Sequence, residues 1–284
     1  MKEAPRLLVV NADDFGYAGS VNAGIVAAHA NGIVTAATWL AGGEAATEAA
    51  RLTAAHPVLD VGLHLALSEV TPQSSMSDTG PLLENGRFPV DYRGVWRRVR
   101  AAPPMLRAVE AEWEAQYAAY KAAFGRPPSH VDSHQHVALL PALQEVFLGL
   151  ARAHCVPFVR IPEEVRRVSD LAAPPGFRRA LPSLVLSRLA RRFRRRADAL
   201  GLRTTEHFAG FRDSGRATLA NLIAMACHVR PGTTEWMVHP GATDTRDGCR
   251  RAEELAALTD PALKAALEGQ GVRLVSFRTL AEMG

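Results

Sequence analysis

Four short stretches of this 284-residue chain carry the residue types that hold metals and move protons. Asn11-Ala12-Asp13-Asp14-Phe15-Gly16 sets two adjacent carboxylates at the end of an apolar run over 7–12. Two acids beside a glycine also suit a turn or an N-cap. Charged residues that end an apolar strand in an α/β chain, however, point to the catalytic face. Strict alternation sends Asp13 and Asp14 to opposite faces of a strand, so both reach one site only if the chain turns there. Gly16 offers that turn.

In Val61-Gly62-Leu63-His64-Leu65-Ala66-Leu67, period two puts Gly62, His64 and Ala66 on one face and the leucines on the other. The small neighbours leave space beside His64 for an ion or a substrate, although a core histidine is the ordinary reading of such a segment taken alone. In His130-Val131-Asp132-Ser133-His134-Gln135-His136, alternation places His130, Asp132, His134 and His136 on one face. Three imidazoles and a carboxylate make a poor core unless they bind something, and metal ligation is the economical explanation. Trp236-Met237-Val238-His239-Pro240-Gly241 ends a further apolar strand with a histidine. No HExxH spacing occurs, so the ligands must converge from separate strands.

The elements that would position these residues alternate along the chain. Strands are expected over 7–12, 33–41, 58–67, 130–137, 156–162, 205–211, 234–239 and 272–277. Helices are expected over 20–31, 44–56, 106–124, 141–154, 184–200, 219–229 and 252–267, the first with Ser20 as N-cap and Gly32 as its stop. Strands separated by crossover helices make a parallel sheet. Eight units predict an irregular or incomplete (β/α) TIM-like barrel, with residues 1–284 as a single domain; a doubly wound open sheet is the alternative. Segment 68–104, rich in Ser, Pro, Gly and Asp, breaks the rhythm directly after a strand and reads as a lid over the site, with a plain surface excursion as the alternative. So does the helix near 184–200, where Leu181, Val185, Leu189, Phe193 and Leu200 keep helical spacing. Arg188, Arg191, Arg192, Arg194, Arg195 and Arg196 cover the rest, a face that is either solvated or able to touch an anionic membrane.

Composition narrows the class. Lysine and arginine number 33 against 29 acids, and a net charge of +4 spread along the chain does not make a nucleic-acid binder. No apolar run approaches a membrane span, and an N-terminus with two acids after Leu7-Leu8-Val9-Val10 does not read as a signal peptide. The three cysteines, Cys155, Cys227 and Cys249, form no CxxC pair. They suit a reducing compartment, and the cytoplasm is the expected setting.

NADDFG, GLHL, HVDSHQH and MVHPG, together with EHFAGF and the final RLVSFRTL, resemble the YdjC-like carbohydrate deacetylase family, of the chitooligosaccharide deacetylase type, over nearly the whole chain. That resemblance implies an irregular (β/α) barrel and one divalent ion, Mg²⁺ or Zn²⁺, held by Asp14, His64 and His134. It further implies Asp13 as general base and His239 as general acid, removing the N-acetyl group of an amino sugar or a glycolipid. Arg160, His136 and Asp132 are candidates for contacts with the substrate. Many relatives carry three consecutive histidines where this chain has His134-Gln135-His136; Gln135 is expected to face away from His134, which leaves the site intact.

Two other readings are open. A hydrolase of another bond, such as a phosphoester, could use the same barrel with a second ion near His130, Asp132 and His136. A sugar- or lipid-headgroup-binding protein would need no base beside a metal ligand, and the Asp13-Asp14 pair argues against it. A homodimer and a peripheral membrane contact through the arginine-rich helix are open expectations.

Overall fold

Eight parallel strands run through the computed structural model, which describes residues 4–100, 103–164, 177–211, 213–245 and 247–283, with side chains for all of these except 103 and 177–187. They are β1 (Arg6–Phe15), β2 (Ala36–Trp39), β3 (Asp60–Leu65), β4 (His130–Ser133), β5 (Phe158–Val159), β6 (His207–Ala209), β7 (Gly232–Val238) and β8 (Val272–Leu274). Pairing follows the order β5-β4-β3-β2-β1-β7-β6, and β8 lies beside the first residues of β1. The outer strands of that path meet through single parallel bridges, Phe158 to Arg203 and Glu164 to Phe208, so the sheet curls almost shut. The result is an irregular (β/α) barrel, as expected from the alternation of elements.

The helices are α1 (Gly19–Asn31), α2 (Ala46–Ala55), α3 (Tyr92–Val99), α4 (Pro103–Phe124), α5 (Gln144–Ala153), α6 (Phe177–Ala199), α7 (Leu219–Ala226), α8 (Arg251–Thr259), α9 (Pro261–Gly269) and α10 (Phe277–Met283). Because every strand is parallel, all the strand C-termini open on one face, where catalytic groups of such barrels gather.

Alternation along β1 lays out the interior. Leu7 and Val9 pack with Phe158, Val275 and Phe277 at the floor of the barrel. Leu8, Val10 and Ala12 point the other way, into the apolar layer under the helices. Asn11 and Asp13 continue the inward row. His130 forms the next layer: its ring stacks on Phe277 at 4.0 Å between centroids, and its Nε2 lies 2.9 Å from Asn11 Oδ1. Gly62 makes room for that ring, since a Cβ there would sit 2.5 Å from His130 Cε1. Gly24 on α1 similarly admits the backbone of Gly241, which a Cβ would approach to 2.2 Å. That contact seats the His239-Pro240-Gly241 turn against α1.

Several expectations are corrected. β4 stops at Ser133 rather than 137, because Gln135 and His136 take φ 50° and 53° in a 3₁₀ turn, His134–Leu139, and left-handed backbone ends a strand. Ala18, not Ser20, is the N-cap residue of α1, and it offers no side-chain cap. The helix expected over 252–267 is two, because Pro261 opens α9 and Asp260 caps it through the Ala262 N–H. The strand expected over 272–277 ends at Leu274, and Phe277 begins α10 while plugging the barrel floor.

The 68–104 segment is not a plain loop. It contains a helical turn, Met76–Thr79, and the capped helix α3, with Asp91 accepting the Gly94 N–H. In α6, Ala190, Phe193 and Ala197 are buried, while Arg188, Arg191, Arg192 and Arg195 are exposed. Arg194 pairs with the half-buried Glu163, and Arg196 with the exposed Glu145. The side chains of Leu181 and Val185 lie outside those described.

Candidate metal centre

Asp13 and Asp14 reach the same mouth because the chain turns at Asp14 itself. Its φ of 69° is left-handed, the pairing of β1 with β2 shifts register between Ala12 and Phe15, and Gly16 completes the turn at φ 106°. A short polar side chain tolerates that conformation better than most. Asp14 Oδ1 then lies 3.0 Å from His134 Nδ1 and 3.5 Å from His64 Nε2. His64 stands at the inward position near the end of β3, and His134 enters from the 3₁₀ turn after β4. The three residues are buried, and their ligand atoms lie within 4.8 Å of one another.

Three observations show that this set fits a divalent ion. Asp14 Oδ1 is buried without a hydrogen-bond partner, an arrangement that costs free energy unless something else binds the oxygen. One carboxylate and two imidazoles form a common donor set for such ions. Each imidazole is also held from behind by an acid. His64 Nδ1 lies 2.5 Å from Asp132 Oδ1, its register partner on β4, and His134 Nε2 lies 3.0 Å from Glu69 Oε2. Such outer partners fix which ring nitrogen carries the proton. The two rings therefore offer opposite atoms inward, Nε2 of His64 and Nδ1 of His134.

The charges agree. Burial alone would lower the His64 pKa, but Asp132, Asp14 and Asp13 raise it to about 10. His134 is raised against burial in the same way by Asp14 and Glu69. The carboxyl of Asp14 would rise through burial, yet Arg251, His134 and His64 hold it well below the usual range. This negative field is what a cation would meet.

Beside the three candidate ligands lies a clamp. Arg160, just past β5, donates from Nη1 to Asp13 Oδ2 and from Nη2 to Asp13 Oδ1, both at 2.6 Å. Its Nε donates to Glu235 Oε1 at 2.7 Å, and Nη1 also lies 2.6 Å from Asp132 Oδ2. Asn11 Nδ2 gives Asp13 Oδ1 a further bond of 2.9 Å. Burial works against ionised Asp13, but Arg160, His64 and His239 together hold its pKa far down. His239, just past β7, donates its backbone N–H to Glu254 Oε1 at 2.8 Å, while its buried Nδ1 has no partner. Burial lowers its pKa, helped by Arg251 and Arg160 and opposed by Asp13 and Asp14.

The residues expected from sequence thus divide. Asp13, Asp14, His64, His134 and His239 come together at the strand C-termini. Arg160 and Asp132, expected to touch the substrate, are 4% and 1% exposed and spend their polar atoms on Asp13, Glu235 and His64. His136 packs against Phe211, with ring centroids 5.0 Å apart, and lines a cavity with Asp132 and Arg160. His130 is 1% exposed beneath the site, and burial lowers its pKa to about 4. With His130 and His136 so placed, the second ion site expected from those two and Asp132 does not form. Gln135, expected to face away from His134 on a strand, lies instead in the left-handed turn and donates at 2.8 Å to the same Glu69 Oε2 that His134 Nε2 meets.

Other members carry no sequence signal of their own. Arg251 on α8 is fully buried and donates from Nη2 to Asp14 Oδ2 at 2.7 Å and to Asp247 Oδ2 at 2.6 Å. Thr38 Oγ1 lies 3.2 Å from both His64 Nδ1 and Asp132 Oδ2. Glu235 was within reach of the period-two rule, which puts it on the His239 face of β7.

Glu254 gives the protein a pH signature. Burial raises its pKa from 4.5 to about 7 against the hydrogen bonds of the His239 and Ala217 backbones. A carboxyl whose folded pKa is raised takes up a proton on folding, so its contribution is full below about 4.5 and lost as pH rises through about 7. Glu254→Gln keeps the acceptor for His239 but cannot ionise. Between pH 5 and pH 8, the urea midpoint of the wild type should fall relative to that of the variant; parallel profiles would show that Glu254 does not titrate in this range.

Known proteins bear on this site. The YdjC-like protein family profile matches residues 7–269. A carbohydrate deacetylase of Mus musculus is 36% identical over 97% of this chain and 96% of its own length. A chitooligosaccharide deacetylase of Yersinia pestis is 32% identical over 96% of this chain and 98% of its own. Among solved structures, an Enterococcus faecalis protein provisionally named for cellobiose-phosphate cleavage shares the fold, with a TM-score of 0.77 at 24% identity, covering 98% of this chain and 99% of that one.

Proposed function

The chain belongs to the YdjC-like family, and from that premise we propose that it is a metal-dependent carbohydrate deacetylase that hydrolyses the N-acetyl amide of an amino sugar or amino-sugar conjugate and releases acetate. The observation that carries this reading is the convergence of Asp14 Oδ1, His64 Nε2 and His134 Nδ1 beside a clamped second carboxylate. Relatives named for the same reaction support it.

Asp14, His64 and His134 would hold the ion. Bound there, a divalent ion supplies polarisation of the acetyl oxygen and a more acidic water. Asp13 would take a proton from the attacking water at Oδ2, to which Arg160 Nη1 donates, whereas Oδ1 receives both Asn11 Nδ2 and Arg160 Nη2. The Arg160 clamp keeps Asp13 ionised and aimed, at the cost of basicity, so Asp13 can serve only a water that is itself acidic. His239, which burial favours in the neutral form, would first take up a proton and then deliver it to the departing nitrogen. Its depressed pKa makes the imidazolium a stronger acid, which suits a poor leaving amine.

The two imidazoles favour Zn²⁺ on ligand softness, and the family resemblance favours Mg²⁺ equally. The test is acetate release from N-acetylated amino sugars and glycolipids by chelator-treated protein resupplied with Mg²⁺, Mn²⁺ or Zn²⁺. Release that needs the ion supports the reading, and its absence with every sugar and ion would remove it. Phosphoester hydrolysis through paired ions gains no support. Asp13, His64 and Asp132 do converge, but the Arg160 guanidinium already bonds both acids at 2.6 Å and opposes a cation there.

The free cysteines Cys155, Cys227 and Cys249 suit a reducing, cytoplasmic setting. No helix among the described residues is long and apolar enough to cross a membrane. The exposed Arg188, Arg192 and Arg195 on α6 support a peripheral contact with anionic lipid. Each such residue contributes about 1 kcal/mol at the surface, so the protein should co-sediment with anionic vesicles at low salt and detach at high salt. Failure to co-sediment at low salt would exclude that contact.

A further inference from the structure

The acids behind the two metal-binding rings come from different kinds of structure. Asp132 stands beside His64 on the adjoining strand, inside the barrel. Glu69 comes from the segment that leaves the barrel after β3, with a left-handed φ of 60°. Its backbone N–H donates to Pro89 O at 3.3 Å, so both ends of the excursion meet at this residue. Glu69 Oε2 lies 3.0 Å from His134 Nε2 and also accepts the Gln135 Nε2–H at 2.8 Å. Gln135 Oε1 in turn accepts the backbone N–H of Tyr92, the first residue of α3, at 2.6 Å. Gln135 holds φ 50° in doing so, and α3 packs against the 134–139 turn.

We propose that Glu69 is a positioning residue for the metal centre, and that Glu69 and Gln135 form a clasp making segment 69–92 a working part of that centre. The inference rests on the metal-site reading above. A neutral imidazole has one N–H and one lone pair. A carboxylate at Nε2 keeps the proton there and leaves the Nδ1 lone pair directed at Asp14 and the ion. Gln135 suits the clasp because its amide donates to Glu69 and accepts from Tyr92 at once. Linkage is reciprocal: if Glu69 favours ion binding through His134, ion binding must favour the clasped form of the segment.

The test combines Mn²⁺ titration by calorimetry with hydrogen exchange of residues 69–92, with and without Mn²⁺. The proteins are the wild type, Glu69→Ala, Glu69→Gln, Gln135→Ala and Glu84→Ala. Glu69→Ala should weaken Mn²⁺ binding roughly 10–100-fold. Glu69→Gln should recover part of the loss, because its amide oxygen can still accept the His134 Nε2–H. Glu84 lies on the same segment but pairs with Arg98, so Glu84→Ala should bind as the wild type does. Mn²⁺ should slow exchange over 69–92 in the wild type and do so less in Glu69→Ala and Gln135→Ala. A Glu69→Ala protein that binds Mn²⁺ as the wild type does, with protection undiminished, overturns the inference while leaving the metal reading standing. A wild type that binds no ion overturns the metal reading, and this inference with it.

Discussion

Asp13→Asn is expected to keep its bound ion while losing roughly 10²–10⁴-fold in acetate release. The substitution preserves size, and an amide oxygen at the Oδ1 position can still accept from Asn11 and Arg160 Nη2, but the NH2 at the Oδ2 position loses the Arg160 Nη1 bond and cannot take a proton from water. Arg160 retains Asp132 and Glu235 as partners, so the guanidinium is not left buried and uncompensated, which is the usual cause of collapse in such variants. Metal analysis and steady-state assay of the same sample separate the two effects. Loss of the ion in Asp13→Asn, or activity near that of the wild type, would overturn the assignment of Asp13 as base.

The second large effect belongs to the ligands. His64→Ala and His134→Ala should each lose most of the bound ion and, with it, acetate release, while circular dichroism stays native-like. His64 is 1% exposed, so its removal leaves a cavity, but Asp132 keeps Thr38 and Arg160 as partners. His134 sits in a turn at the mouth, and its loss should disturb the fold less. Unchanged metal content in both variants would sink the Asp14-His64-His134 site. Arg251 predicts a contrast with Asp13: it grips Asp14 Oδ2 at 2.7 Å and leaves Oδ1 to the centre, so Asp14→Asn should weaken ion binding and excess metal should restore part of its rate.

Much of this was legible in the sequence, for definite reasons. Strand alternation places Gly62 with His64, and Asn11 with Asp13, because a parallel barrel has a strict inside and outside and a slip of one residue would exchange them. The same rule failed at 134–136, where left-handed backbone at Gln135 and His136 ends β4, so that His134 reaches the site from a turn. It also failed in detail at Asp14: the turn needed to unite both aspartates falls on Asp14 rather than on Gly16 alone. Glu69, Arg251 and Glu254 could not be read, because each acts on a residue far away in the chain and none sits in a pattern with a period. Glu69 is five residues past His64 in a turn-rich stretch, while Arg251 and Glu254 look like ordinary charged positions on a surface helix and turn out to be buried.

The central expectation is one ion serving one deacetylation site. It is tested most directly by titrating Mn²⁺ or Zn²⁺ into metal-stripped wild-type protein while acetate release is followed. The rate should be negligible without the ion and should rise to saturation at one equivalent per chain, with the break abolished by His64→Ala. A rate independent of added metal, or one that requires two equivalents per chain, would contradict it.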